Sequence, residues 1–338
     1  MRGIFFLIFI LTLASCNKDP SQELFPGDEY VFLELPAGFP PPAIPLENKL
    51  SKNRIALGKK LFYDKRFSRN KDVSCASCHF QENAFADKDR LSTGTNGTLG
   101  FRNAPSLANV AYHNSFFRDG GVPTLELQVL VPLDSKEEMD IEMKDVIDLL
   151  NADPEYVELF QTSYQREPDP FGFTRAIAAF ERTLISGNSA YDKYNNGESS
   201  VFNESKKRGM NLFFSNRTNC SSCHSGFNFT NDSFENNGLY IEYADSGRMR
   251  VTLRESDRDL FKVPSLRNVE VTKPYMHDGS FESLEDVIEH YNSGGVEHIN
   301  KSDLVKALSL SDREKEDLLA FLYTLTDEEF LKNPDYKP

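Results

Sequence analysis

Apolar residues along this chain recur mostly at helical spacing. Over Asp145–Phe160 and Phe171–Leu184 they return every three or four positions, the signature of a helix with one buried face. Ser283-x-x-Asp286 resembles a capping box and predicts a helix that stops at Gly294-Gly295; Ser311-x-x-Glu314 predicts another running through Leu325. No segment shows the sustained alternation of a half-buried strand, so the expected fold is mainly α. Ahead of the periodic region, residues 17–45 lack a helical repeat and carry Pro40-Pro41-Pro42 and Pro45, which predicts an extended tether.

The pattern also repeats. Gly58-Lys59-Lys60-Leu61-Phe62 has an echo in Gly209-Met210-Asn211-Leu212-Phe213. Further on, Arg102-Asn103-Ala104-Pro105 is echoed by Pro264-Ser265-Leu266-Arg267-Asn268, and Asp119-Gly120 by Asp278-Gly279. This predicts two domains related by internal duplication, 46–185 and 186–330, meeting where Gly, Asn and Ser are dense. A chain of 338 residues can bury two such cores.

Charge and the N-terminus set the setting. A net charge of −14 argues against nucleic acid as a partner and would attract a basic protein instead. Arg2 followed by the apolar run Ile4–Leu13, too short to span a bilayer, reads as an export signal. Leu13-Ala14-Ser15-Cys16 resembles the lipobox of bacterial lipoproteins. That resemblance implies a signal peptide over 1–15, a lipid on Cys16, a tether over 16–45 and a membrane-anchored protein facing the periplasm.

The other four cysteines form two Cys-x-x-Cys-His motifs, Cys75/Cys78/His79 and Cys220/Cys223/His224. This is the attachment pattern of c-type haem: two thiols add to the porphyrin vinyl groups and the adjacent imidazole reaches the iron. Zinc sites place their pairs far closer together, and a disulfide leaves the histidine unexplained. Two covalent haems are therefore expected, with His79 and His224 as proximal ligands.

Several stretches resemble the family of di-haem bacterial cytochrome c peroxidases and MauG. They are Leu57–Phe62 leading into Ser74–His79, then Phe101-Arg102-Asn103-Ala104-Pro105, Val263–Asn268 and Pro274-Tyr275-Met276-His277-Asp278-Gly279. The resemblance spans Leu46 to Thr326. It implies a peroxidatic haem in the N-terminal half and an electron-transfer haem in the C-terminal half. It also implies a calcium ion between them, held by the Asn103 side chain and the carbonyls of Thr272 and Pro274, which are hard oxygen ligands. The family's distal-pocket residues fall on Gln128 and Glu138. A carboxylate there can move a proton from the inner to the outer oxygen of hydrogen peroxide, and Gln128 can orient the peroxide. Family members are often dimers, so a homodimer is a further expectation.

Three departures bear on the subtype. Between His79 and Asn103 there is no histidine, so the first iron is expected to keep an open position; His113 lies outside that stretch and is expected to be structural. The tryptophan that separates the haems in much of the family falls on Arg118, and the chain has no tryptophan at all, which leaves Phe117 as a candidate relay. The second haem's distal ligand falls on Tyr291, with Met276 and His290 as rivals; a phenolate would favour higher iron states than a thioether. The expected function is a peroxidase that reduces hydrogen peroxide with electrons from a small basic cytochrome. The alternatives are a MauG-like oxidation of a protein substrate and a non-catalytic electron-transfer cytochrome.

Overall fold

The computed structural model describes residues 24–338, so the signal peptide and Cys16 lie outside the described residues. In chain order the helices are α1 (Lys52–Tyr63), α2 (Leu125–Gln128), α3 (Leu130–Asp134), α4 (Met143–Asn151), α5 (Pro154–Tyr164), α6 (Pro170–Glu181) and α7 (Ala190–Asn195). They continue with α8 (Glu204–Phe213), α9 (Cys220–Cys223), α10 (Met249–Thr252), α11 (Leu284–Ser293), α12 (Asp312–Leu322) and α13 (Glu328–Lys332). Two-residue strands β1 (Phe234–Glu235) and β2 (Phe261–Lys262) pair antiparallel. The fold is helical, as the periodicity predicts.

Local chemistry explains the helix ends. Ser283 caps α11 by accepting from the Asp286 amide, and Gly294 ends it at φ +85°. Ser311 and Glu314 close a reciprocal capping box on α12. The single helix expected over 145–160 is instead two, α4 and α5. Asp153 caps the second by accepting from Glu155 N, and Pro154, which has no N–H to donate, occupies its first turn.

Each half is built on one close helix crossing. At Gly58 on α1, a Cβ would fall 1.8 Å from the carbonyl oxygen of Ala176 on α6. At Gly209 on α8, a Cβ would fall 1.8 Å from the carbonyl oxygen of Asp317 on α12. Only glycine allows backbones to meet at that range. The first crossing is packed beneath Leu57, Leu61, Phe160 and Phe173, the second beneath Phe213, Phe229, Phe321 and Leu325.

The halves share finer geometry as well. Asn109 and Asn268 both adopt φ 60°, ψ 22°. Asn109 N donates to Leu184 O at 2.8 Å, and Asn268 N to Leu325 O at 3.0 Å. Asn109 Oδ1 accepts from Ser186 N at 2.8 Å, and Asn268 Oδ1 from Asp327 N at 2.8 Å. Ser106 Oγ donates to Ala84 O, and Ser265 Oγ to Asn228 O. The register of correspondence therefore differs from the one read in the sequence: Pro105-Ser106-Leu107 and Asn109 match Pro264-Ser265-Leu266 and Asn268, and Asn103 matches Lys262, not Asn268.

The two asparagines meet at the crossover between halves. Asn268 Nδ2 donates to Ser186 Oγ at 2.9 Å, and Ser186 Oγ donates to Asp327 Oδ2 at 3.1 Å. The same Asp327 oxygen accepts from the amides of Gly187 and Asn188, both at 2.9 Å. This seam is buried, and its polar groups are satisfied by one another.

The proline-rich segment is non-helical but lies along the body. Val31 N donates to Leu50 O and Lys52 N to Glu29 O, both at 3.0 Å. The Phe39 ring packs 4.6 Å from Phe227 and 6.0 Å from Tyr112, with the Arg267 guanidinium 5.0 Å from its centre. Pro36 fills the space beside Gly187.

Candidate functional site

The first Cys-x-x-Cys-His motif follows α1 and turns through a short 3₁₀ segment, Cys75–Ser77, closed by Ser74 and Ser77. The His79 ring faces the Phe85 carbonyl through Nδ1 at 2.7 Å. A carbonyl can only accept, so Nδ1 carries the proton and Nε2 is left with its lone pair free. The second motif repeats this. His224 Nδ1 lies 3.1 Å from Phe229 O and 3.2 Å from Pro264 O. Burial lowers the proton affinity of both rings, which keeps them neutral. A backbone acceptor on one nitrogen is what fixes a metal-ligating imidazole in tautomer and orientation. All four cysteines are free and partly buried. Burial pushes their thiols up, Cys78 and Cys223 to about 11. Two partly buried thiol pairs, each with an oriented imidazole, fit covalent haem attachment.

Around the first motif the structure brings in acids. Glu138, on the turn after α3, acts electrostatically on both Cys75 and Cys78, and its own carboxyl is raised by burial and by Glu137. Gly94 lets the 92–99 loop lie against this turn: a Cβ there would come within 2.2 Å of Glu137 O, and Thr95 N donates to Glu138 O at 2.8 Å. Gln128 ends α2 and is half-buried. Helix α2 is fixed by Glu126, whose carboxylate takes a fork from Arg182 at 2.6 and 3.0 Å and an amide from Asn48 at 2.8 Å. That buried ion pair escaped the sequence reading, although Glu126 lies two residues before Gln128. A second missed group is Glu181, at the end of α6. It is 4 % exposed, acts on Cys75, and has a carboxyl oxygen without a hydrogen-bond partner.

Around the second motif, Tyr291 on α11 feels both Cys220 and Cys223, and burial pushes its phenol up to about 12. Its two rivals contact Asn237, whose side chain also hydrogen-bonds Tyr291. His290 Nε2 donates to the Asn237 carbonyl at 3.0 Å, and Met276 Sδ accepts from Asn237 Nδ2 at 3.3 Å.

Between the halves lies a band of arginines. Arg102 bridges Asp119 at 2.7 Å and Asp245 at 2.6 Å. Arg248 donates to the carbonyls of Asp119 and Gly120, both at 2.8 Å, and Arg90 reaches the Asp278 carbonyl at 3.0 Å. His277 stacks on Phe261 at 3.9 Å, and burial lowers its imidazole to about 4. His113 pairs with Asp232 across the halves at 2.7 Å, which is a structural role. Phe117 packs against the first half's core. Thr272 precedes, and Pro274 forms, the cis Lys273–Pro274 bond just before the Tyr275–Phe281 bridge. The implied calcium site does not fit as arranged. Asn103 Oδ1 accepts from Arg118 Nη2 at 2.8 Å, and the Asn103 carbonyl faces the same guanidinium at 3.3 Å.

Known proteins share this fold. Residues 52–200 match the family model for di-haem cytochrome c peroxidase. The chain is 38% identical over 288 residues to the methylamine utilization protein MauG of Methylorubrum extorquens, covering 84% of this chain and 81% of that one. It is 33% identical to the cytochrome c551 peroxidase of Nitrosomonas europaea, covering 83% and 81%. The solved structure of a MauG-like protein associated with microbial copper homeostasis superposes with a TM-score of 0.85 at 35% identity, covering 90% of this chain and 98% of that one. The chain belongs to the di-haem cytochrome c peroxidase and MauG family of oxidoreductases.

Proposed function

We propose that this chain is an exported, lipid-anchored di-haem peroxidase that reduces hydrogen peroxide with electrons from an external donor. Its two cytochrome c-like halves are copies of one duplicated module. Cys75, Cys78 and His79 hold the first haem; Cys220, Cys223 and His224 hold the second, with Tyr291 as its distal ligand. Bound haem iron supplies a coordination position for peroxide and the electrons that reduce it.

The protein's own part is proton handling, and the observation that carries this reading is Glu138. It stands beside the first cysteine pair with a carboxyl raised above its ordinary range. A group so placed takes the proton from the inner peroxide oxygen and returns it to the outer one, which leaves as water. Gln128, held in place by the Glu126–Arg182 pair, orients the peroxide. Glu138→Gln keeps the shape and removes the base. Peroxide turnover should fall by roughly 10²- to 10⁴-fold, the usual worth of a positioned acid–base group, with both haem spectra intact. Unchanged turnover removes Glu138 from the mechanism.

The position of Tyr291 beside Cys220 and Cys223 favours a second reading, MauG-like oxidation of a protein substrate, because a phenolate stabilises ferric and higher iron. Rapid mixing with peroxide separates the two. Turnover with a reduced basic cytochrome supports detoxification; a long-lived oxidised state without turnover supports the other. Two low-spin haems at rest would leave only electron transfer.

A further inference from the structure

Asn103 stands where the two halves touch: its amide donates to the His277 carbonyl at 3.0 Å. Both of its oxygens are turned to one cation. Arg118 Nη2 lies 2.8 Å from Oδ1, and Nε and Nη2 each lie 3.3 Å from the main-chain oxygen. Arg118 is itself anchored across the halves, since its carbonyl accepts from Lys262 N at 2.7 Å. It lies in the loop closed by the Phe116–Val122 bridge, next to Phe117 at φ +66°. The other charges facing it are Asp278, which attracts it, and Arg102 and Lys262, which repel it; Arg102 is already held by Asp119 and Asp245, and Lys262 Nζ donates to Ser115 O at 2.7 Å.

Calcium and this guanidinium are incompatible at Asn103. Calcium needs six to eight oxygens at about 2.3–2.6 Å, so Oδ1 would have to give up the arginine to serve as a ligand. A divalent ion beside a fixed guanidinium would also meet strong repulsion in a partly buried site. Arginine is always protonated, so it provides a permanent positive charge with a planar set of donors.

We propose that in this chain the Arg118 guanidinium takes the place of the interdomain calcium, clasping the two Asn103 oxygens and holding the halves together without a metal. This inference does not depend on which donor or substrate the haems serve.

The test uses the mature holoprotein as purified, before and after exchange into EGTA. Elemental analysis should find iron but far less than one calcium per two irons, and neither EGTA nor added calcium should move the thermal midpoint. Arg118→Ala frees both oxygens, so millimolar calcium should raise that variant's midpoint by several degrees, whereas Arg118→Lys, which keeps a cation, should not respond. Tightly held calcium in the wild type, removable by EGTA with a loss of thermal stability, overturns the proposal even if the alanine variant fails to fold. So does a folded Arg118→Ala that shows no response to calcium.

Discussion

Glu181 is a carboxyl in the wrong place for a charge. It lies at the end of α6 beside Cys75, 4 % exposed, with one oxygen lacking a hydrogen-bond partner. Its neighbour Arg182 would be the natural counter-ion, but the Arg182 fork is spent on Glu126 at 2.6 and 3.0 Å. Burial therefore dominates and raises Glu181 from 4.5 to about 8, with Arg182 pulling down and Glu126 pushing up. In the unfolded chain the group ionises near 4.5, in the native state near 8. Between those values the native protein holds the extra proton, so its stability falls as pH rises. Each tenfold step is worth about 1.4 kcal/mol, so the loss approaches roughly 5 kcal/mol once pH exceeds 8 and then levels off. Glu181→Gln cannot ionise and should lack this slope. Urea unfolding of both holoproteins from pH 5 to pH 8.5, compared as a difference, isolates the effect from every other titrating group. The wild type should lose several kcal/mol relative to the variant as pH rises across that window. Parallel profiles would show that Glu181 folds as a carboxylate and that the reasoning from burial is wrong.

Two further outcomes follow from the packing. Asp327→Ala strips the seam of an acceptor used by Ser186, Gly187 and Asn188 and leaves buried donors unmatched; a loss of about 2–4 kcal/mol in chemical unfolding is expected, and a loss below 1 kcal/mol would count against the seam as a stabilising element. Gly209→Ala forces α8 and α12 apart, since its Cβ would start 1.8 Å from Asp317 O; about 1–3 kcal/mol should be lost, while the spectrum of the distant N-terminal haem should not change.

What could be read from the sequence was what local chemistry dictates. A porphyrin's vinyl spacing demands Cys-x-x-Cys-His whatever surrounds it, and both motifs fold with their histidines oriented by a backbone carbonyl. Capping residues act within one turn, so α11 and α12 begin where Ser283 and Ser311 say. The break at Asp153-Pro154 was equally local, but the apolar period running through it masked it. The remainder is tertiary. Asn109 and Asn268 look like ordinary loop residues until the left-handed backbone turns both towards Ser186. Glu181, between Phe180 and Arg182, has nothing in its sequence neighbourhood to mark it as buried. Likewise, Arg118 and Asn103 are fifteen residues apart, and only the folded interface shows that one occupies the other.

Phe39, wedged among Tyr112, Phe227 and Arg267, would shorten the leash of the molecule if Cys16 carries the proposed lipid. With the chain paired to the body at Tyr30, a lipid on Cys16 would be separated from it by roughly 14 residue steps, a contour of at most about 50 Å instead of about 100 Å for the whole proline-rich stretch. A body held that close to a membrane would meet partners that come to the bilayer surface, and a pull on such an anchor would reach the Tyr30–Ser51 bridge before the phenyl ring that both halves grip.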